Sequence, residues 1–63
     1  MMAKIIIDIN FNNDTHLRGL IAHSIEFDNS TGDLTIYYDM VHKHRETYSN
    51  IKSIEVIGFT MEV

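Results

Sequence analysis

Apolar and polar residues alternate from the start of the chain, which is the period of a β-strand. Ile5, Ile7, Ile9 and Phe11 fall on one parity, and most of the residues between them are polar. Successive side chains of a strand point to opposite faces of its sheet. The pattern therefore predicts a first strand with one apolar face.

A second alternating region predicts a β-hairpin. Two runs rich in β-branched and aromatic residues, 24–28 and 33–39, flank the segment Asn29-Ser30-Thr31-Gly32. Asparagine and serine hydrogen-bond to their own backbone in turns, and glycine adopts a positive φ without strain. Two alternating runs on either side of such a segment are typical of a hairpin.

Residues 14–23 fit two patterns. Leu17 and Ile21 lie four residues apart, as on one face of a helix, and together with Gly19 they also follow strand alternation. Glycine inside a helix costs about 1 kcal/mol relative to alanine. We therefore favour a continuous or bulged strand over residues 18–28, with a short helix near 14–23 as the alternative.

The last third of the chain predicts a strand pair with an irregular end. Residues 45–48 suit a short, polar edge strand, and apolar residues every third position over 48–54 suit a corner or one turn of tight helix. The apolar parity that includes Val56 changes before Phe59, and Gly58 lies between them. Glycine is common at bulges, so the final strand is expected to bend there.

These elements predict a mainly β protein. We expect a single domain over residues 1–63, built as an antiparallel meander of about five strands that forms a curled sheet or a small barrel. A chain of 63 residues without cysteine has a small core and no disulfide to support it. Self-association into a homo-oligomer is the expected source of additional stability.

The charge balance limits the partners. The net charge is −4 with only five Lys and Arg residues, whereas proteins that bind duplex nucleic acid usually carry excess positive charge. A basic protein surface or a small ligand fits better. No apolar run approaches the length of a membrane span, and residues 1–4 do not resemble a signal peptide. We therefore expect no membrane partner and a cytoplasmic location.

One basic cluster and one acidic group are candidate binding residues. The basic cluster is His42, Lys43, His44 and Arg45. It is read as a solvated loop, or as a contact for an anion or an acidic partner; two histidines without a third ligand make an incomplete metal site. The candidate partner-facing acidic patch is Glu26, Asp28, Asp33 and Asp39. No metal site and no cofactor are expected.

A third candidate is an apolar interface. Ile6, Tyr37 and Ile57 fall on the more polar parity of their strands. If the first and last strands are neighbours, these residues could form one exposed patch, and such patches mark interfaces. The alternative is a two-sided core. No nucleophile or phosphate-binding motif is present, so a non-enzymatic protein is expected.

In its length, acidity, strand content and lack of cysteine and proline, the chain resembles the small accessory proteins of bacteriophages. Residues 48–56 are also similar to the start of a strand in several small β-barrels. The first resemblance implies an inhibitor of a host or defence protein in the host cytoplasm. The preferred hypothesis is a binding module acting through its acidic face and a strand edge. The alternatives are an oligomeric binder of an anion such as a nucleotide, in an inter-subunit pocket, and a metal-dependent enzyme at a subunit interface.

Overall fold

The computed structural model describes residues 2–62, and within them every regular element is a β-strand. The six strands are β1 Met2–Phe11, β2 His16–Ala22, β3 Ser24–Asp28, β4 Asp33–Tyr37, β5 Arg45–Tyr48 and β6 Ile51–Glu62. The mainly β class is confirmed. The expected number of strands is one too low, and the short helix near residues 14–23 is not adopted, because β2 occupies most of that stretch.

The strands form two antiparallel sheets of three. The first sheet has the order β2-β1-β6 and the second has the order β3-β4-β5. The second sheet is a simple meander, whereas β6 returns to pair with β1 across the length of both strands. No ladder joins the two sheets within residues 2–62, so they do not close into the small barrel that the sequence suggested.

The core lies between the two sheets. Ile7, Ile9 and Ala22 of the first sheet and Leu34 and Ile36 of the second are fully or almost fully buried in one cluster. Burying an aliphatic side chain of this size contributes roughly 1.5–3 kcal/mol. The four large core residues lie on the parities that strand alternation predicts.

The chain passes between the sheets at two sharp corners. His23 separates β2 from β3, so the single strand expected over residues 18–28 is wrong: this stretch forms two strands that belong to different sheets. The backbone N–H of His23 donates to the carbonyl of Tyr37 at 2.9 Å. At the other corner β5 leads into β6 through Ser49 and Asn50, where Asn50 has a φ of 57°. Asparagine tolerates this left-handed conformation better than most residues. The corner expected over residues 48–54 is therefore present, without a helical turn.

Gly19 explains why residues 14–23 fit two periods. Its φ is +66°, and the β1–β2 register shifts between Ile7 and Ile9, which face Leu20 and Leu17. The one extra residue in β2 brings Leu17 and Leu20, three positions apart, onto the same side of the strand, and this spacing resembles that of a helix. The Asp8 carboxylate accepts the Gly19 N–H at 2.9 Å and holds the bulge.

The predicted hairpin joins β3 to β4. Gly32 has a φ of +76°, and its N–H donates to the carbonyl of Asp28 at 2.7 Å. The Asp28 carboxylate accepts both the N–H and the hydroxyl of Ser30. These bonds satisfy the turn locally, as the run of turn-forming residues predicts.

A bulge in β6 lies beside Gly58. Ile6 pairs with Gly58 and Ile7 pairs with Val56, so Ile57 is the extra residue. Paired residues in an antiparallel ladder share a face. The bulge therefore brings Val56 and Phe59, which differ in sequence parity, onto the same core-facing side of the sheet.

Candidate functional site

The basic segment His42–Arg45 lies in and after the loop between β4 and β5, and Asp39 organises it. The Asp39 carboxylate accepts the backbone N–H of Lys43 at 2.8 Å and that of His44 at 3.2 Å. It also lies 2.7 Å from Nδ1 of His44. Burial raises the pKa of Asp39, but these bonds from His44 and Lys43 outweigh it and hold the pKa below 3.8. A predicted acidic-patch residue thus belongs to the basic loop.

The two histidines of this segment have different environments. His42 stacks on Tyr37 with ring centroids 4.0 Å apart, and Tyr37 donates its hydroxyl to Glu26 at 2.9 Å. That hydrogen bond is the main cause of the raised pKa of Tyr37. His44 instead faces Asp39. An anion that approached His44 would therefore meet the Asp39 carboxylate, whereas His42 is held against an aromatic ring.

Three residues of the predicted acidic patch lie together. Glu26, Asp28 and Asp33 fall on the face of the second sheet that points away from the core, and Asp28 lies directly opposite Asp33. Hydrogen bonds from Ser30 lower the pKa of Asp28. Asp39 lies at the other end of β4. The acidic face therefore consists of Glu26, Asp28 and Asp33, all exposed or half-buried.

The predicted interface residues are not brought into one patch. The first and last strands are neighbours, as the prediction required, and Ile6 and Ile57 lie close together on the first sheet. Tyr37 lies on the outer face of the second sheet, opposite Ser24 and Arg45. Ile6 instead has Ile21 as its cross-strand neighbour, and the Ile21 side chain is 55% exposed.

A different apolar surface lies on the core-facing side of β6. Val56, Phe59 and Met61 are 63%, 58% and 52% exposed, and we call them the β6 apolar strip. Their partners in β1 are Ile7, Ile5 and Ala3. Sequence parity alone separates Val56 from the other two, but the bulge at Gly58, which the sequence predicted, joins them.

A second feature that the sequence reasoning missed is a row of three residues on the core-facing side of the second sheet. Tyr48 pairs with the buried Leu34, and Glu46 pairs with the buried Ile36. Tyr38 follows Ile36 by two positions, and its N–H extends the ladder to the carbonyl of His44. The Tyr48 hydroxyl donates to Glu46 at 2.7 Å. The sequence did contain a signal for this row: Glu46 and Tyr48 are two positions apart in the short edge strand, so their side chains lie on the same face.

Several clefts lie away from the β6 apolar strip. One of about 240 Å³ lies between the sheets and is lined by residues that include Lys4, His23 and Tyr38. Another of about 420 Å³ lies near the second corner and is lined largely by polar residues, among them Asn12 and Asn50. Over the described part of the chain, no three His, Asp or Glu residues gather in a metal-binding arrangement. Nor does any helix in residues 2–62 have the length and apolarity needed to cross a membrane.

Comparison of the chain with protein families, with curated proteins and with solved structures gives no match.

Proposed function

We propose that this chain is a non-enzymatic binding module that takes up an extended, basic segment of a protein partner along the free edge of β6. The observation that carries the proposal is the β6 apolar strip. Three large apolar side chains are exposed side by side on a face that is buried elsewhere in the same sheet. Exposed apolar clusters of this kind mark interaction surfaces.

The edge of β6 favours an extended partner. β6 is twelve residues long and pairs only with β1 among the strands of residues 2–62. An unpaired edge offers a row of backbone donors and acceptors to an added strand. In strand addition, main-chain hydrogen bonds provide affinity and alternate side chains provide specificity. The β6 apolar strip would receive those alternate side chains.

Charge favours a basic partner. The net charge is −4. Two of the basic side chains are already paired within the chain, Arg18 with Asp8 and Lys52 with Asp14. Glu55, next to the strip, is exposed. A negative surface of this kind accelerates the approach of a positive segment and disfavours an acidic one. The resemblance to phage accessory proteins makes inhibition of a host or defence protein the role that we propose for this docking.

The proposal is tested by selecting binders from a displayed library of random peptides on the immobilised protein. We expect the selected peptides to alternate apolar residues with Lys or Arg. Phe59→Thr should weaken their binding about tenfold, equivalent to roughly 1.4 kcal/mol. The matched control is Phe27→Thr, which alters a 45% exposed phenylalanine on an edge strand of the other sheet and should leave binding unchanged.

Two outcomes would overturn the proposal. The first is a set of selected peptides that binds equally well to the Phe59→Thr variant. The second is a dimeric mass in light scattering that Phe59→Thr converts to a monomer, because β6 would then be occupied by a second copy of the chain. That result would instead support the expected homo-oligomer.

A further inference from the structure

The row of Tyr38, Glu46 and Tyr48 is an unusual feature beside an apolar core. Glu46 and Tyr48 lie opposite Ile36 and Leu34, both of which have no exposed surface. Glu46 itself is exposed, because β5 is an edge strand of its sheet. Its carboxylate accepts the Tyr48 hydroxyl and remains accessible to a group from outside.

Two tyrosine rings flank the carboxylate. The hydrogen bond to Glu46 and then burial raise the pKa of Tyr48 to about 12. Burial and then the negative charge of Glu46 raise the pKa of Tyr38. The Tyr48 phenol contacts the carboxylate directly, and Tyr38 lies two positions beyond Ile36, the residue that Glu46 faces. Phe11 packs on Tyr48 with a centroid distance of 6.0 Å, which holds that ring in place.

This carboxylate has no basic partner within the described chain. The ion pairs of residues 2–62 use Asp8, Asp14 and Asp39. One oxygen of Glu46 accepts the Tyr48 hydroxyl, and a carboxylate has lone pairs for several more donors. A carboxylate beside aromatic rings attracts a cation through both an ionic hydrogen bond and the ring faces.

We propose that Glu46, with Tyr38 and Tyr48, binds the guanidinium group of an arginine side chain from a protein partner. A planar guanidinium donates to a carboxylate and stacks on an aromatic ring at the same time, which the compact ammonium group of lysine does less well. This site lies on the second sheet, and its test does not depend on the β6 edge.

The test is a titration followed by two-dimensional NMR of the folded protein with N-acetyl-arginine amide. We expect saturable shift changes at Tyr38, Glu46 and Tyr48. N-acetyl-citrulline amide, which has nearly the same shape without the charge, should produce none. Glu46→Gln should weaken binding about tenfold. This substitution keeps an oxygen that accepts the Tyr48 hydroxyl, so the variant should fold. The matched control is Glu55→Gln, which removes an exposed carboxylate on β6 and should bind as the wild type does.

Three results would overturn the site. Citrulline binding as well as arginine would exclude recognition of the cation. Equal losses in Glu46→Gln and Glu55→Gln, or shifts spread over Glu26 and Asp33, would indicate general attraction to a negative protein. Tighter binding of N-acetyl-lysine amide would exclude the guanidinium. None of these results bears on peptide binding at β6, so the two proposals fail separately.

Discussion

Val56 lies directly opposite Ile7 in the β1–β6 ladder, yet Ile7 has no exposed surface and Val56 is 63% exposed. Both side chains belong to the core-facing side of the first sheet. β1 is the central strand of its sheet, whereas β6 is an edge strand. The core thus ends within one pair of residues, and the β6 apolar strip begins there.

This boundary predicts that two similar side-chain truncations lower the free energy of unfolding by different amounts. Ile7→Val should lower the free energy of unfolding by about 0.5–1.5 kcal/mol, because it leaves a small cavity in a closed core. Val56→Ala should change it by less than about 0.5 kcal/mol, as exposed substitutions usually do. Urea denaturation measures both values. Equal losses would mean that Val56 is covered in solution.

Gly19 provides a prediction about backbone conformation. Its φ of +66° is the left-handed region, although an added Cβ would meet no atom within 4 Å. Gly19→Ala should therefore destabilise the protein by about 1 kcal/mol through the backbone alone. Gly19→Asn should cost less, because asparagine enters this region more easily. Equal unfolding midpoints for the two variants would contradict this reading of β2.

Asp39 predicts a loss of stability in acid. Its pKa in the folded protein is below the ordinary value of 3.8. The ionised carboxylate therefore stabilises the folded protein fully above pH 3.8, and this stabilisation is lost as the pH falls through the lower pKa of the folded protein. Asp39→Asn should lower the thermal midpoint near neutral pH and reduce the further fall in acid. Asp33→Asn is the control, since Asp33 lies outside the β4–β5 loop. An unchanged acid response in Asp39→Asn would contradict the arrangement of this loop.

The hydrogen bond from Tyr48 to Glu46 predicts that one tyrosine ionises only at strongly alkaline pH. The pKa of Tyr48 is raised from 10.0 to about 12. A group whose pKa is raised by folding stabilises the protein fully at a pH below its pKa in the unfolded chain. That stabilisation is lost as the pH rises through its pKa in the folded protein. In a titration of tyrosinate absorbance, one of the three tyrosines should ionise near 12, and Glu46→Gln should move it towards 10. If the highest pKa is the same in both proteins, the Tyr48–Glu46 hydrogen bond is absent in solution.

Much of the local structure could be read from the sequence. Alternation identified the apolar face of β1, and the segment Asn29–Gly32 identified the hairpin, because both depend only on neighbouring residues. The stretch around Gly19 was ambiguous because a bulge changes the spacing of apolar residues in the same way as a helical turn. The change in parity at Gly58 was correctly interpreted as a bulge.

The candidate sites were harder to predict. Asp39 looked like part of an acidic patch, since the sequence gives its charge but not the backbone amides of Lys43 and His44 that surround it. Tyr37 was grouped with Ile6 and Ile57 by parity, although it lies on the other sheet. The sequence did not place Glu46 opposite the buried Ile36, because that position depends on how β5 pairs with β4.

The sequence by itself determined that the chain forms strands, where the Asn29–Gly32 hairpin turns and which parity of β1 is apolar, because side-chain alternation and turn chemistry are local. Only the tertiary structure decided that β6 returns to β1, that two sheets enclose the core, and that Val56, Phe59 and Met61 remain outside it. Burial depends on which part of one sheet is covered by the other, and that is set by contacts between residues far apart in the chain.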